Sequence, residues 1–331
     1  MRITGFGEIL LRLTPVQAHD RLLQTPALSV GYAGAESNVL CNLAHWGHEA
    51  AFVSRLPEHD WGTGALRFLQ TQGVDTRGIQ RGGDRIGTYY IEQGISVRPS
   101  RIVYDRRYSA MEQLDADAFN WQEILKSSAV LHLSGITPAL SEACSRACIA
   151  AAETAREMGV VVSFDMNFRR SLWQGRDPRP VFDRLLSLAG IVFGNVGAFV
   201  DVYGLTLKPA DAAAQCFEQL RQISPADLVA FTSREATTAS HQQLGGMLWQ
   251  NGRYYSGKSY DIDVIERIGS GDAFASALLH GWASGWSPQR SIDFATAAFA
   301  LKHTIPGDLQ LAGIVEVAHL DREGGSGFVL R

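Results

Sequence analysis

Lysine is scarce in this chain: among 30 cationic side chains only Lys126, Lys208, Lys258 and Lys302 are lysines, and the rest are arginines. With a net charge of −4 there is no global basic field of the kind that gathers nucleic acid. Cysteine is also thin. Cys41, Cys144, Cys148 and Cys216 include no C-x-x-C pair. Cys144 and Cys148 lie four apart in a helical stretch, a spacing that stacks them on one face and does not favour a disulfide. Buried thiols in a reducing cytoplasm are therefore expected. No apolar run approaches the length of a membrane span, and the Met1–Gly7 stretch is too short for a secretory leader, so no membrane partner is expected. The patterns G-x-G-x-x-G, G-x-S-x-G and H-E-x-x-H are missing, which removes the usual dinucleotide, hydrolase and zincin readings.

What is present is an alternation of short apolar strands and amphipathic helices. Strands are predicted at 3–7, 51–54, 130–134, 160–165, 191–194 and 228–232, and helices at 35–46, 62–72, 142–158, 180–188 and 211–222. This order predicts βαβ units around a mostly parallel sheet covered on both faces. Ligands of such sheets bind beyond the carboxyl ends of the strands, where Asp165, Asn167, Asn195 and Thr232 fall. Two stretches, about 10–31 and 86–108, carry strand-like segments without helices between them, and 87–92 with 101–104 reads as an antiparallel pair. They predict a small sheet acting as a lid on an otherwise single α/β domain spanning 1–331. Gly324-Gly325-Ser326-Gly327 reads as a plain flexible turn.

Gly252-Arg253-Tyr254-Tyr255-Ser256-Gly257-Lys258-Ser259 satisfies the phosphate-loop pattern G-x-x-x-x-G-K-S in form. A true phosphate loop sits between a buried strand and a helix. Here Asn251-Gly252 is a hairpin signal, and 260–264 alternates as a strand, so the match is coincidental. A better anion site is Ile268-Gly269-Ser270-Gly271-Asp272, which opens an apolar helix. Free amides at a helix N-terminus bind phosphate, and glycine permits close backbone approach. Asp272 beside such amides has two readings: a general base for a hydroxyl that attacks a phosphoryl group, or an ordinary helix cap.

Gly269-Ser270-Gly271-Asp272 resembles the G-A-G-D element of the ribokinase-like (PfkB) carbohydrate kinases. Gly34-Ala35-Glu36-Ser37-Asn38, with Leu43-Ala44-His45-Trp46-Gly47, resembles that family's sugar-binding segment and the helix it opens. The likeness spans nearly the whole chain and implies a ribokinase-like three-layer sandwich with a mostly parallel central sheet and a small β-sheet lid. Within the family the likeness is greatest to 2-keto-3-deoxygluconate kinases, through Gly7-Glu8-Ile9-Leu10, Val103-Tyr104-Asp105-Arg106 with Ser109-Ala110, Asp165-Met166-Asn167-Phe168-Arg169, and residues 300–308.

The resemblance implies phosphorylation of the primary hydroxyl of a 2-keto-3-deoxy sugar acid by ATP with Mg2+. Asp272 would be the base, with the amides of Gly269, Ser270 and Gly271 as the anion hole. Gly34, Asn38, Tyr89, Tyr104, Arg106 and Arg169 would hold the sugar acid. Asn167, Asn195, Thr232, Arg234, Gly269 and Gly271 would hold the nucleotide, with no side-chain metal ligand assigned. Two arginines suit a carboxylate, although the residues alone, without the resemblance, favour a solvated lid charge at Arg106 and a surface ion pair at Arg169. The chain departs from the family at Ala33-Gly34, where a glycine pair is usual, at Glu266-Arg267, where the acid is aspartate, and at Thr232-Ser233-Arg234-Glu235-Ala236, where T-x-G-x-x-G is usual. It also departs at Asn195-Val196-Gly197-Ala198, where N-x-x-E ends in an acid that organises magnesium. Alternatives are a kinase for a neutral sugar such as fructose or ribose, and a ligand-binding protein on the kinase scaffold. Apolar lid strands further predict a homodimer or higher homo-oligomer through the lid.

Overall fold

In the computed structural model, residues 1–208 and 211–324 are described. The Gly324–Gly327 turn lies largely outside them. Among the described residues fifteen strands form, in chain order β1 (Arg2–Phe6), β2 (Leu10–Pro15), β3 (Leu28–Ala33), β4 (Glu49–Leu56), β5 (Val74–Asp75), β6 (Ile79–Arg81), β7 (Thr88–Glu92), β8 (Arg101–Asp105), β9 (Val130–Ser134), β10 (Val161–Asp165), β11 (Ile191–Gly194), β12 (Leu228–Ala236), β13 (His241–Gln250), β14 (Arg253–Ser256) and β15 (Tyr260–Asp263). The main sheet runs β14-β13-β12-β11-β10-β9-β1-β4-β5, with β6 joined to β4 and β15 joined to β13. From β12 through β4 every pairing is parallel, and β13, β14 and β15 extend the β12 edge antiparallel.

Helices cover both faces because successive strand residues point opposite ways. Ile191, Phe193, Leu228 and Ala230 enter one core, shared with helices Ala35–His45, Ser270–Ala283 and Pro288–Lys302. Val192, Val229 and Phe231 enter the other, shared with helices Glu142–Glu157, Arg179–Leu188 and Ala212–Ile223. The result is three layers, as the alternation predicts. Cys144 and Cys148 point into the second core, and all four cysteines are free and buried. The Asn251-Gly252 turn joins β13 to β14 with positive φ at both residues (52° and 77°), the geometry of a two-residue hairpin. Lys258 then pairs with Asp321 (3.2 Å) on the exterior, so the phosphate-loop match is indeed coincidental.

A separate four-stranded sheet has the order β3-β2-β7-β8. Both of its outer pairings are antiparallel, and the central β2–β7 pairing, between strands far apart in sequence, is parallel. Its register sets Gly31, Arg12, Tyr89 and Tyr104 in one row and Val30, Leu13, Tyr90 and Val103 in the next. Adjacent rows face opposite ways. The first faces the carboxyl end of the main sheet, where Tyr89 is buried; in the second, Val30 and Val103 are exposed. Glu92, three residues beyond Tyr89, falls on the far face, where it accepts a bond from the Leu22 amide (3.1 Å) in the loop joining β2 to β3.

Candidate active site

Between the small sheet and the carboxyl ends of β10, β11 and β12 lies a cleft of about 880 Å³. Its wall includes all the residues singled out above: Gly34, Asn38, Tyr89, Tyr104, Arg106, Asn167, Arg169, Asn195, Thr232, Arg234, Gly269, Ser270, Gly271 and Asp272.

The anion-binding turn is set by backbone geometry. Gly269 caps helix Ser270–Ala283 with φ 76°, and a Cβ there would lie 1.9 Å from the Asp308 carbonyl oxygen. Only glycine permits this approach. Gly271 is exposed, and a Cβ there would meet nothing within 4 Å. Asp272 does not cap the helix: its carboxylate accepts a 2.7 Å bond from the Asn38 amide, and no side chain caps this terminus. The capping reading is thereby corrected. Burial pushes the Asp272 carboxyl up to about 8, against the Asn38 bond and with further elevation from the charges of Asp165, Asp308 and Glu36. A carboxyl of that character is suited to proton transfer near neutral pH. Asn38, expected among the sugar contacts, thus has its amide on Asp272.

Guanidinium groups gather on the wall beside β12 and the turn before helix Ser270–Ala283. Arg234, on β12, donates to Ser270 Oγ (3.1 Å) and to His303 Nε2 (3.2 Å). His303 Nδ1 donates to the Phe299 carbonyl (2.7 Å), which fixes the tautomer and leaves Nε2 to accept. Burial, then the charges of Arg267 and Arg169, lower Arg234 to about 10. Arg267 is lowered too, by burial and then by Arg169. Three mutually repelling cations on one cleft wall make a receptor for a polyanion. The sequence reading noted the departure at Glu266 and gave Arg267 no role, although its place just before the turn was a usable signal.

Arg106 stands one residue beyond β8, buried rather than solvated, so the lid-charge reading is corrected. Its guanidinium forks onto Glu8 Oε2 (Nε 2.9 Å), while Ser109 donates to Glu8 Oε1. It lies 5.7 Å from the centre of the Tyr104 ring. Arg169 is exposed at the cleft, and its charge acts on Asp165, Arg234 and Arg267.

Asn195 Oδ1 accepts from the Ala198 amide (2.9 Å) and so caps helix Val196–Tyr203. One turn beyond Ala198 on the same helix an acid is present: Asp201 lines the cleft, 2.6 Å from Arg170. An i, i+3 search from position 198 would have found it. Asp165, pushed up to about 6 chiefly by burial, accepts from the Asn167 amide (3.0 Å) and acts electrostatically on Asp272. No group of three or more metal-binding side chains forms among the described residues. A few cleft carboxylates suit magnesium, an ion held largely by phosphate oxygens and water.

Residues 2–308 match the pfkB family of carbohydrate kinases. The chain belongs to this family. It is 31% identical to a 2-dehydro-3-deoxygalactonokinase of Haloferax volcanii, with 98% of each chain covered. The crystal structure of 2-dehydro-3-deoxygluconokinase from Thermotoga maritima superposes with a TM-score of 0.94 at 37% identity, covering 97% of this chain and 99% of that one. Fructokinase-1 of Zea mays is 27% identical over 92% of each. Among the described residues no helix is long and apolar enough to cross a membrane.

Proposed function

We propose that this chain is an ATP-dependent kinase for the primary hydroxyl of a 2-keto-3-deoxy sugar acid. The observation that carries the reading is Asp272: a buried carboxyl raised to about 8, at the first turn of a helix whose N-terminal amides face a cluster of arginines. The galactonate and gluconate relatives supply the substrate class. Asp272 accepts the hydroxyl proton as the oxygen attacks the γ-phosphorus in line and ADP leaves with the bridging oxygen, and the amides of Gly269, Ser270 and Gly271 hold the negative charge that spreads over the transferring oxygens. Magnesium-ATP supplies the phosphoryl group, with metal charge to offset its oxygens. Asp165, with Asp201 through water, fits as the protein's share of the magnesium shell. Arg234 and Arg267 hold phosphate, with Asn167, Asn195 and Thr232 beside them. Arg169 and Arg106, with Tyr89 and Tyr104, hold the sugar acid, and Gly34 and Asn38 close its other side.

The chain acts as one α/β unit, with the four-stranded sheet as a lid that excludes water from the cleft. The outer row of Val30, Leu13, Tyr90 and Val103 fits the same row of a second copy, giving a homodimer by two-fold pairing. The composition and the substrate class fit work in the cytoplasm. The test is ADP release from purified protein with magnesium-ATP and a panel of sugar acids, with fructose and ribose as controls. Turnover on a 2-keto-3-deoxy acid supports the reading. Turnover on the neutral sugars alone, or on none, refutes it.

A further inference from the structure

Two buried carboxylates flank the anion-binding turn, and the proposed mechanism uses neither. Glu266 precedes the turn, and its Oε1 accepts from the Ile268 amide (3.4 Å). Asp308 supplies the backbone oxygen against which Gly269 is packed. Both are held from the small sheet. Arg12, on β2, is 13% exposed; its Nη2 lies 2.7 Å from Glu266 Oε2 and its Nε 2.7 Å from Asp308 Oδ1. Tyr89, directly beside Arg12 in the β2–β7 register, donates its hydroxyl to Asp308 Oδ2 (2.8 Å), and Gln93 donates to Glu266 Oε2 (3.1 Å).

We propose that Arg12 is a positioning residue: it locks the small sheet to the anion-binding turn, so that closing the sheet over the sugar acid and shaping the amides for phosphoryl transfer are one event. Arg12 bridges the two carboxylates, each of which adjoins a different part of the turn. Movement of β2 therefore pulls on the turn from both sides. Lys302 supplies the second charge of the cluster. Fully buried, it donates to the Ile305 carbonyl (2.8 Å), and its ammonium, lowered to about 8 by burial, is favoured by the charges of Glu266 and Asp308. Two carboxylates and two cations leave the cluster near neutrality, which a low-dielectric site requires. Arg12 is the member carried by the small sheet. Its removal leaves only the uncharged Tyr89 and Gln93 bonds to tie the small sheet to the turn, and leaves Lys302 without the second cation against both acids.

The inference deepens the kinase reading and rests on it, so the test combines a substrate-free readout with a kinetic one. Amide hydrogen exchange on the chain without substrates is compared for wild type, Arg12→Met and Arg12→Lys. Faster exchange is expected at residues 266–272 and 88–92 in Arg12→Met, with β9 to β11 unchanged. At saturating sugar acid and ATP, kcat of Arg12→Met falls by about tenfold or more, because small displacements of reacting groups carry large rate effects. Arg12→Lys, which keeps the charge, recovers most of that loss. Should Arg12→Met fail to fold, Glu266→Gln breaks the same ion pair with little change of shape and shows the same pattern. Unchanged exchange at 266–272, kcat of Arg12→Met within about twofold of wild type, or a lysine variant as slow as the methionine variant overturns the proposal. If no sugar acid supports ADP release in wild type, the substrate reading falls, and the exchange data still decide the coupling.

Discussion

Replacing Asp272 with asparagine should remove activity and raise stability. The carboxyl is pushed from 3.8 up to about 8 by the folded chain, chiefly through burial. A carboxyl raised on folding costs the native state nothing while it is protonated in both states. Its unfolded counterpart ionises above pH 3.8, so a penalty accumulates as pH rises and levels off above about 8. At ~1.36 kcal/mol per pKa unit, the ceiling is roughly 6 kcal/mol. Interior polarisability and relaxation of the neighbouring Asp165, Asp308 and Glu36 reduce it to on the order of 2 kcal/mol. Asparagine keeps an oxygen for the 2.7 Å bond from Asn38 and carries no charge to desolvate. Asp272→Asn should therefore unfold several degrees above wild type at pH 8.5, with the gap closing toward pH 4, while turnover falls by about 10²-fold or more. Thermal denaturation at both pH values, with ADP release at pH 8, measures both effects. A stability difference independent of pH, or turnover close to wild type, would refute the reasoning.

Three further outcomes follow from the same site. The kcat/KM profile should climb as Asp272 loses its proton, with an acid limb whose midpoint lies near pH 8; a flat profile from pH 6 to 9 rules out that group as the base. Inorganic pyrophosphate should raise the melting temperature of wild type by relieving repulsion among Arg169, Arg234 and Arg267, and Arg267→Met should lose most of that rise in the same thermal scan. Asp201→Asn should weaken magnesium-nucleotide binding by about tenfold in calorimetric titration, and an unchanged affinity would remove Asp201 from the magnesium shell.

Elements built on strong periodicity were legible from sequence. The runs at 130–134 and 191–194 coincide with β9 and β11, because strands buried on both faces are continuous apolar segments with sharp ends. β5 and β6, of two and three residues, are too short to show any period. The G-S-G-D turn was legible as an anion site because its chemistry lies in contiguous backbone. The bond from Asn38 to Asp272 joins residues 234 apart in sequence, and spacing cannot carry such a contact. The same holds for Arg12, which reads as one more arginine until β2 is seen paired with β7 beside the 308 region. Arg106 shows the converse. Its place near the lid was expected, but its charge is already matched by Glu8, a partner 98 residues away.

The burial of every thiol makes this chain a blank for chemical labelling. Burial raises Cys41 and Cys144 to about 12 and Cys216 to about 11, and raises Cys148 well above the ordinary thiol range, so at neutral pH none presents a thiolate to a maleimide. A single cysteine introduced at Val97, 90% exposed in the loop between β7 and β8, would carry a fluorophore without any native residue first being removed. Movement of the small sheet against the main one could then be followed optically in an otherwise unmodified protein.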